Sequence, residues 1–263
     1  MLLNRMVAFV AGVVFLVGGA TRAEQQNQQQ ARVIIERMVA ALGGNAYLGL
    51  EDAESEGRSG SFYQGSSVGS TPFHRFSRWP DKDRVELGRR RDVVELTIGE
   101  AMYEITFRGS RPIDPQKDQN ARIYLARENH ALQIVLRRWL EEAGTALFYE
   151  GPALAENHAV DRVTIINSQE NAVTILIDSA THLPVKDIFV IRDPQTKDRD
   201  EISEVFDNWK IVQGINTPFN TLVSFNGELR WQYYISSISY NQRLPDSLFS
   251  LPGPPPFTRP VPR

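Results

Sequence analysis

From residue 54 to residue 240 the chain is written in short runs of alternating apolar and polar residues, each stopped by Gly, Pro, Asn or Asp. A period of two puts alternate side chains on opposite faces of a strand, so a chain of this kind must build a sheet that buries one face. The runs fall at 54–63, 73–79, 84–87, 92–98 and 101–107, and again at 145–150, 161–166, 172–178, 185–192, 203–211, 217–225 and 229–240. Gly99-Glu100 is a two-residue link and predicts a tight hairpin. Roughly a dozen strands in series strain an open twisted sheet. The expected fold is therefore α+β, mainly β, with a large antiparallel sheet that is curled or nearly closed.

Two stretches follow a helical period instead. Ile34, Ile35, Met38, Val39 and Leu42 share one face, and Gly43-Gly44 stops the helix. The segment "EQQNQQQ", 24–30, reads as a polar and flexible leader to it. Between 114 and 142, Leu125, Leu132, Leu136, Trp139 and Leu140 recur at helical intervals. This insertion is long enough to divide the chain in two, but no linker accompanies it and charge is spread evenly. The expectation is one domain over 24–252, followed by a disordered proline-rich tail at 253–263.

The first 23 residues have the layout of a secretory signal peptide: Arg5, the apolar run "MVAFVAGVVFLV", then small residues ending at Ala20 or Ala23. The run is short for a bilayer span, and an uncleaved anchor is the alternative. Cleavage after Ala23 removes Arg5 and Arg22 and no acid, which takes the formal charge from −3 to −5. A weakly acidic chain offers no basic face for phosphate, so nucleic acid is excluded. The chain has no cysteine, hence no disulfide, thiolate ligand or lipid-bearing thiol. These features predict a soluble protein outside the cytoplasm, exported through a cleaved signal.

Catalytic motifs do not survive inspection. "GSSVG" at 65–69 matches the nucleophile elbow around Ser67, but a strand-like run follows where the elbow needs a helix. His74, His130, His158 and His182 stand at no metal-ligand interval. The acids of "RDPQTKDRDE" suit a solvated hairpin tip better than a calcium loop, which needs a glycine and a terminal bidentate acid in register. Acids elsewhere are scattered over many strands, and no hydrolytic pair can be assigned. No catalytic, cofactor-binding or metal-binding residue is expected, and the chain reads as a non-enzyme.

Apolar residues are the remaining resource. Leu96 and Ile98, then Tyr103, Ile105 and Phe107, then Tyr233 and Ile235 each share a face of their own strand. They fill either an ordinary core or the wall of a cavity beneath the helices.

The segments "VTILIDSATHLPVKDIFV", "EISEVFDNWKIVQGINTPF" and "NGELRWQYYISSISYNQRLPDSLFSLPG" resemble the periplasmic lipoprotein-sorting proteins of the LolA/LolB-like superfamily. The carrying residues are Asp178, Thr181, Leu183 and Pro184, then Gly214, Ile215 and Pro218, then Tyr240, Asn241, Leu244, Pro245, Leu248 and Phe249. The opening "ARVIIERMVAALGGNAYLGL" is similar to the family's first helix. The resemblance implies that the large curved antiparallel sheet is an incomplete barrel with helices covering its concave face. The apolar cavity of this half-barrel takes lipoprotein acyl chains or lipid under a helical lid. The resemblance also implies a periplasmic location, protein partners at the inner and outer membranes, and a monomer. On that implication, Ile34, Ile35, Met38, Leu132 and Leu136 are the lid residues. Leu96, Ile98, Tyr103, Ile105, Phe107, Tyr233 and Ile235 are the cavity wall. Relatives that hold a protein regulator leave a sensor or scaffold role open.

Overall fold

The computed structural model describes residues 7–252, with side chains from residue 22 onward; the expected tail lies outside the described residues. Helix α1 (Val7–Leu42) and the single turn α2 (Asn45–Leu48) precede six strands: β1 (Asp52–Tyr63), β2 (Ser66–Arg78), β3 (Lys82–Leu87), β4 (Val93–Ile98), β5 (Ala101–Thr106) and β6 (Gly109–Ile113). Helices α3 (Gln119–His130) and α4 (Leu132–Arg137) come next. Seven strands complete the chain: β7 (Ala146–Ala155), β8 (His158–Ile166), β9 (Ala172–Asp178), β10 (Pro184–Arg192), β11 (Arg199–Val212), β12 (Ile215–Phe225) and β13 (Glu228–Tyr240).

All thirteen strands form one antiparallel sheet in the order β6-β5-β4-β3-β2-β1-β13-β12-β11-β10-β9-β8-β7. The edges β6 and β7 do not pair, so the curved sheet stops short of a barrel, as the strand series predicts. Each half is a meander, and the two meanders join through the ladder of β1 with β13. There the register shifts at Glu56/Gly57. A Cβ on Gly57 would lie 2.0 Å from the Tyr234 carbonyl oxygen, so only glycine lets the backbones approach this closely.

The pleat sorts side chains as expected. On the inner face, Val163 and Ile165 of β8, Val173, Ile175 and Ile177 of β9, Phe189 of β10 and Ile202 of β11 are buried. They pack with Ala31, Ile35, Met38 and Leu42 of α1 and with Val135 and Leu136 of α4. On the outer face, Phe76 and Leu96 are covered by Leu244 and Phe249 of the segment after β13.

Four local differences from the sequence reading have plain causes. The segment 24–30 is helical and continues α1, which runs through both Ala20 and Ala23. Asn27 in that segment acts as a backbone mimic for the edge strand. Its Nδ2 donates to the Tyr149 carbonyl (2.8 Å) and its Oδ1 accepts from the Tyr149 N–H (2.9 Å). β2 starts at Ser66, seven residues early, because the tight turn at Gln64 (φ 48°) and Gly65 (φ 74°) extends the β1–β2 ladder through a Ser/Gly stretch with no apolar alternation. β6 was unforeseen; it is a five-residue edge strand containing Pro112, a place where proline is tolerated. The 114–142 stretch is two helices, broken where Ala131 is extended (φ −55°, ψ 140°). Among the described residues, no helix is long and apolar enough to cross a membrane.

Candidate functional site

Helix α3 crosses the concave face. Asp118 caps its start by accepting from the Ala121 N–H (3.0 Å), and the helix then presents Arg122, Tyr124, Arg127 and Glu128 to the sheet. On one side, the Tyr124 hydroxyl donates to Asp83 of β3, and Arg75 of β2 donates to Glu128 (2.7 Å). On the other side, Arg127 holds Glu204 of β11 with two bonds (2.7 and 3.2 Å), and Arg122 reaches Asp193 after β10 (2.6 Å). Strands β1, β13 and β12 lie between these two sets of anchors.

Beneath and beside the helix is a cavity of about 460 Å³, within the range of small-molecule pockets. Its floor owes its space to small residues. Ser55, Ser59 and Ser61 of β1 and Thr71 and Ser77 of β2 point inward where the other half of the sheet carries Ile and Val. Its walls are aromatic: Phe73, Trp79, Phe206, Trp209, Trp231 and Tyr233. A second space of about 260 Å³ shares Glu95, Tyr124, Arg127, Trp231 and Tyr233 with it.

The polar groups here form a buried electrostatic cluster. Asp83, 4 % exposed, accepts from Arg75 (2.8 Å), Ser77 (2.6 Å) and Tyr124. Arg127 also lies over the Tyr233 ring, 5.1 Å from its centroid. Burial pulls the Arg127 guanidinium down, and Glu204 beside it more than reverses this, so the arginine stays charged. Burial pushes the carboxyls of Glu95, Glu128 and Asp187 up. For Glu128 the guanidinium of Arg75 opposes the rise, whereas Glu204 drives Asp187 higher still. Asp187 is 2 % exposed, lines the cavity, and its Oδ1 has no hydrogen-bond partner.

The residues singled out in the sequence fall into three places. Leu132, Tyr233 and Ile235 line the cavity. Ile35, Met38 and Leu136 are buried in the core of the filled half, and Ile34 packs against it. Leu96, Ile98, Tyr103 and Ile105 do not reach the cavity. They lie on the outer face with Phe76, under the strap formed by Leu244, Leu248 and Phe249. The register explains this: Val85 pairs with Glu95 on the cavity side, so Arg84, Leu96 and Tyr103 face outward. Phe107 is 88 % exposed beyond the end of β5.

Sequence reasoning missed Arg75, Glu95, Tyr124, Arg127, Glu128, Asp187 and Glu204. A signal existed: Asp187 stands in phase with the apolar Val185 and Phe189, and a charge on the buried phase of a strand needs an explanation. Tyr124, Arg127 and Glu128 stand at i, i+3 and i+4, one face of a helix.

Three of the four histidines are held by packing or hydrogen bonds. His130 stacks on Phe189 (4.2 Å) and meets Trp139 edge-on, with Nδ1 on the Ala126 carbonyl (2.7 Å). His74 bonds Glu54 (2.7 Å) on the outer face, and His158 bonds Asp178 (2.7 Å). Ser67 sits in β2, not on a strand-to-helix turn. Among the described residues, no group of His, Cys, Asp and Glu could hold a metal ion. Asp178 does fix its turn, accepting from Ala180 N–H (2.9 Å), Thr181 N–H (2.6 Å) and Thr181 Oγ1 (2.9 Å).

No family model and no curated sequence matches this chain. Solved structures do. A domain assigned to outer membrane lipoprotein sorting, from Vibrio parahaemolyticus, superposes with a TM-score of 0.55 at 10 % identity, covering 85 % of this chain and 97 % of its own. A DUF1329 family protein from Desulfovibrio piger gives 0.55 at 12 % identity with the same coverage. A LolA superfamily protein from Nitrosomonas europaea gives 0.54 at 10 %, covering 84 % and 97 %. What this chain shares with them is the fold, a LolA-like half-barrel.

Proposed function

We propose that this protein is a periplasmic carrier that shelters the acyl chains of a lipoprotein or lipid in the cavity beneath α3, without catalysing a reaction. The observation that carries the reading is an aromatic-walled space of about 460 Å³ left open by serines on a sheet otherwise packed with Ile and Val. Burying an acyl chain is worth about 0.8 kcal/mol per methylene, so one chain supplies on the order of 10 kcal/mol. Release then requires a cover that can lift. Helix α3 suits that role because its only large buried apolar anchor is Ile123, and its other ties to the sheet are charged and hydroxyl side chains, which water can replace. The structures that share this fold support the reading in kind, since one is assigned to lipoprotein sorting. Export through the signal at 1–23 would place the protein between the membranes, with donor and acceptor partners there.

Native mass spectrometry of protein purified from an envelope extract without detergent tests this. A bound mass that organic solvent extracts as phospholipid or acylated peptide is the expected result. A clean apo mass, with no uptake of a fluorescent fatty-acyl probe, would move the search to a sensor or scaffold role with a protein partner.

A further inference from the structure

The polar rim of the cavity has too many acids for its bases. Its lining carries Glu95, Glu128, Asp187 and Glu204 against Arg75 and Arg127. Both guanidinium groups are already engaged, Arg75 with Asp83 and Glu128, Arg127 with Glu204. Asp187 has no cation of its own. It pairs in register with Ile175 on one side and Glu204 on the other, so it stands where the packed apolar half meets the polar rim of the cavity. That is where the head of a molecule would rest with its chain along the aromatic wall. A buried carboxyl oxygen with no partner is costly unless something supplies a donor.

We propose that the cavity selects an amphiphile whose head carries a hydrogen-bond donor with positive charge, such as a primary ammonium, and that Asp187 Oδ1 receives it when α3 lifts with Arg127. The inference rests on the carrier reading and refines it: a head bearing only a carboxylate meets surplus acid, while an ammonium neutralises it. Asp187 is here a specificity residue, and the apolar chain still supplies most of the affinity.

Three probes of one chain length separate the possibilities: dodecylammonium and dodecanoate below their micelle concentrations and dodecanol below its solubility limit, each displacing a neutral fluorescent naphthylamine. Dodecylammonium is expected to bind at least about tenfold more tightly than dodecanoate, the factor one charge-assisted hydrogen bond supplies, with dodecanol between them. D187N keeps the shape and removes the buried acid, so it should fold and bring the three within about threefold of each other. A circular dichroism melt checks its fold. D187L, which also removes the hydrogen-bonding oxygens, provides a second variant with the same expected loss of preference. Equal or tighter binding of dodecanoate by the wild type, or a preference that both variants retain, would overturn the inference while leaving the carrier standing. Binding of none of the three would remove the carrier reading and this inference with it.

Discussion

The two halves of the inner face are built on one sheet and solve opposite problems. Over β8, β9 and β10, inward positions are Val, Ile and Phe up to Asp187 at the cavity's edge, and α1 closes onto them with Ala31, Ile35, Met38 and Leu42. Over β1 and β2 the equivalent positions are Ser, Thr and Arg, and α3 stands above them on ion pairs. One half gains stability from apolar burial. The other leaves apolar surface unburied and holds its cover by electrostatics, which cost desolvation as well as giving attraction. The contrast shows how a single sheet can be filled at one end and leave a cavity at the other.

The sharpest way to break the contrast is the clasp. Arg127→Met should destabilise by about 3–5 kcal/mol because Glu204 is left buried and unpaired, and Arg127→Met with Glu204→Leu should recover most of it. Urea midpoints measure both, and no recovery in the double variant would mean that the clasp is more than a compensated pair. Next comes Ile175→Ala in the filled half, expected to cost about 2–5 kcal/mol with little change in probe uptake. Ile35→Glu and Leu136→Glu should likewise unfold rather than unload the protein, since both residues are core.

Two carboxyls on neighbouring strands, Asp178 of β9 and Asp187 of β10, should respond to pH in opposite directions. Burial raises the Asp178 carboxyl, but bonds from Thr181, His158 and Ala180 more than reverse this and hold it at about 2. Its contribution is present above the unfolded value of about 4 and is lost as pH falls toward 2. Asp187 is shifted the other way, so its contribution is present below about 4 and is lost as pH rises. The stability gap between Asp187→Asn and wild type should therefore widen in favour of the variant from pH 4.5 to 8, and a flat gap would mean that Asp187 is ionised without penalty. The smallest expected effect on folding is Ser59→Val, within about 1 kcal/mol, accompanied by a clear drop in probe uptake as the side chain enters the cavity. Unchanged uptake would place the ligand elsewhere.

The sheet was legible because its period is local: Ile175 and Ile177 alternate whatever the rest of the chain does. So was the Asp178–Thr181 turn, whose bonds span three residues. The cavity was far less legible. Whether Leu96 faces in or out is decided by pairing across β3, β4 and β5, and the strap that covers it comes from residues 244–249, far along the chain. The clasp joins Arg127 to Glu204, and nothing in either neighbourhood announces the other. Apolar side chains such as Leu96 and Ile105 are poor markers of the cavity, since both lie on the outer face. Here the space is marked instead by what is small, Ser59 and Ser61, and by charge in an apolar phase.

The strand order also bears on how the protein folds. Every ladder but one joins strands that follow each other in the chain, so each can close early through a short loop. The exception is β1 with β13, where Ala53 meets Tyr240 and Gly57 meets Ile235. Loop-closure entropy makes that seam the slow step, so two finished meanders should meet along it last. The serine floor belongs to one partner of the seam and Tyr233 and Ile235 to the other, so a chain paused before this step would have a formed sheet on either side and no cavity between them.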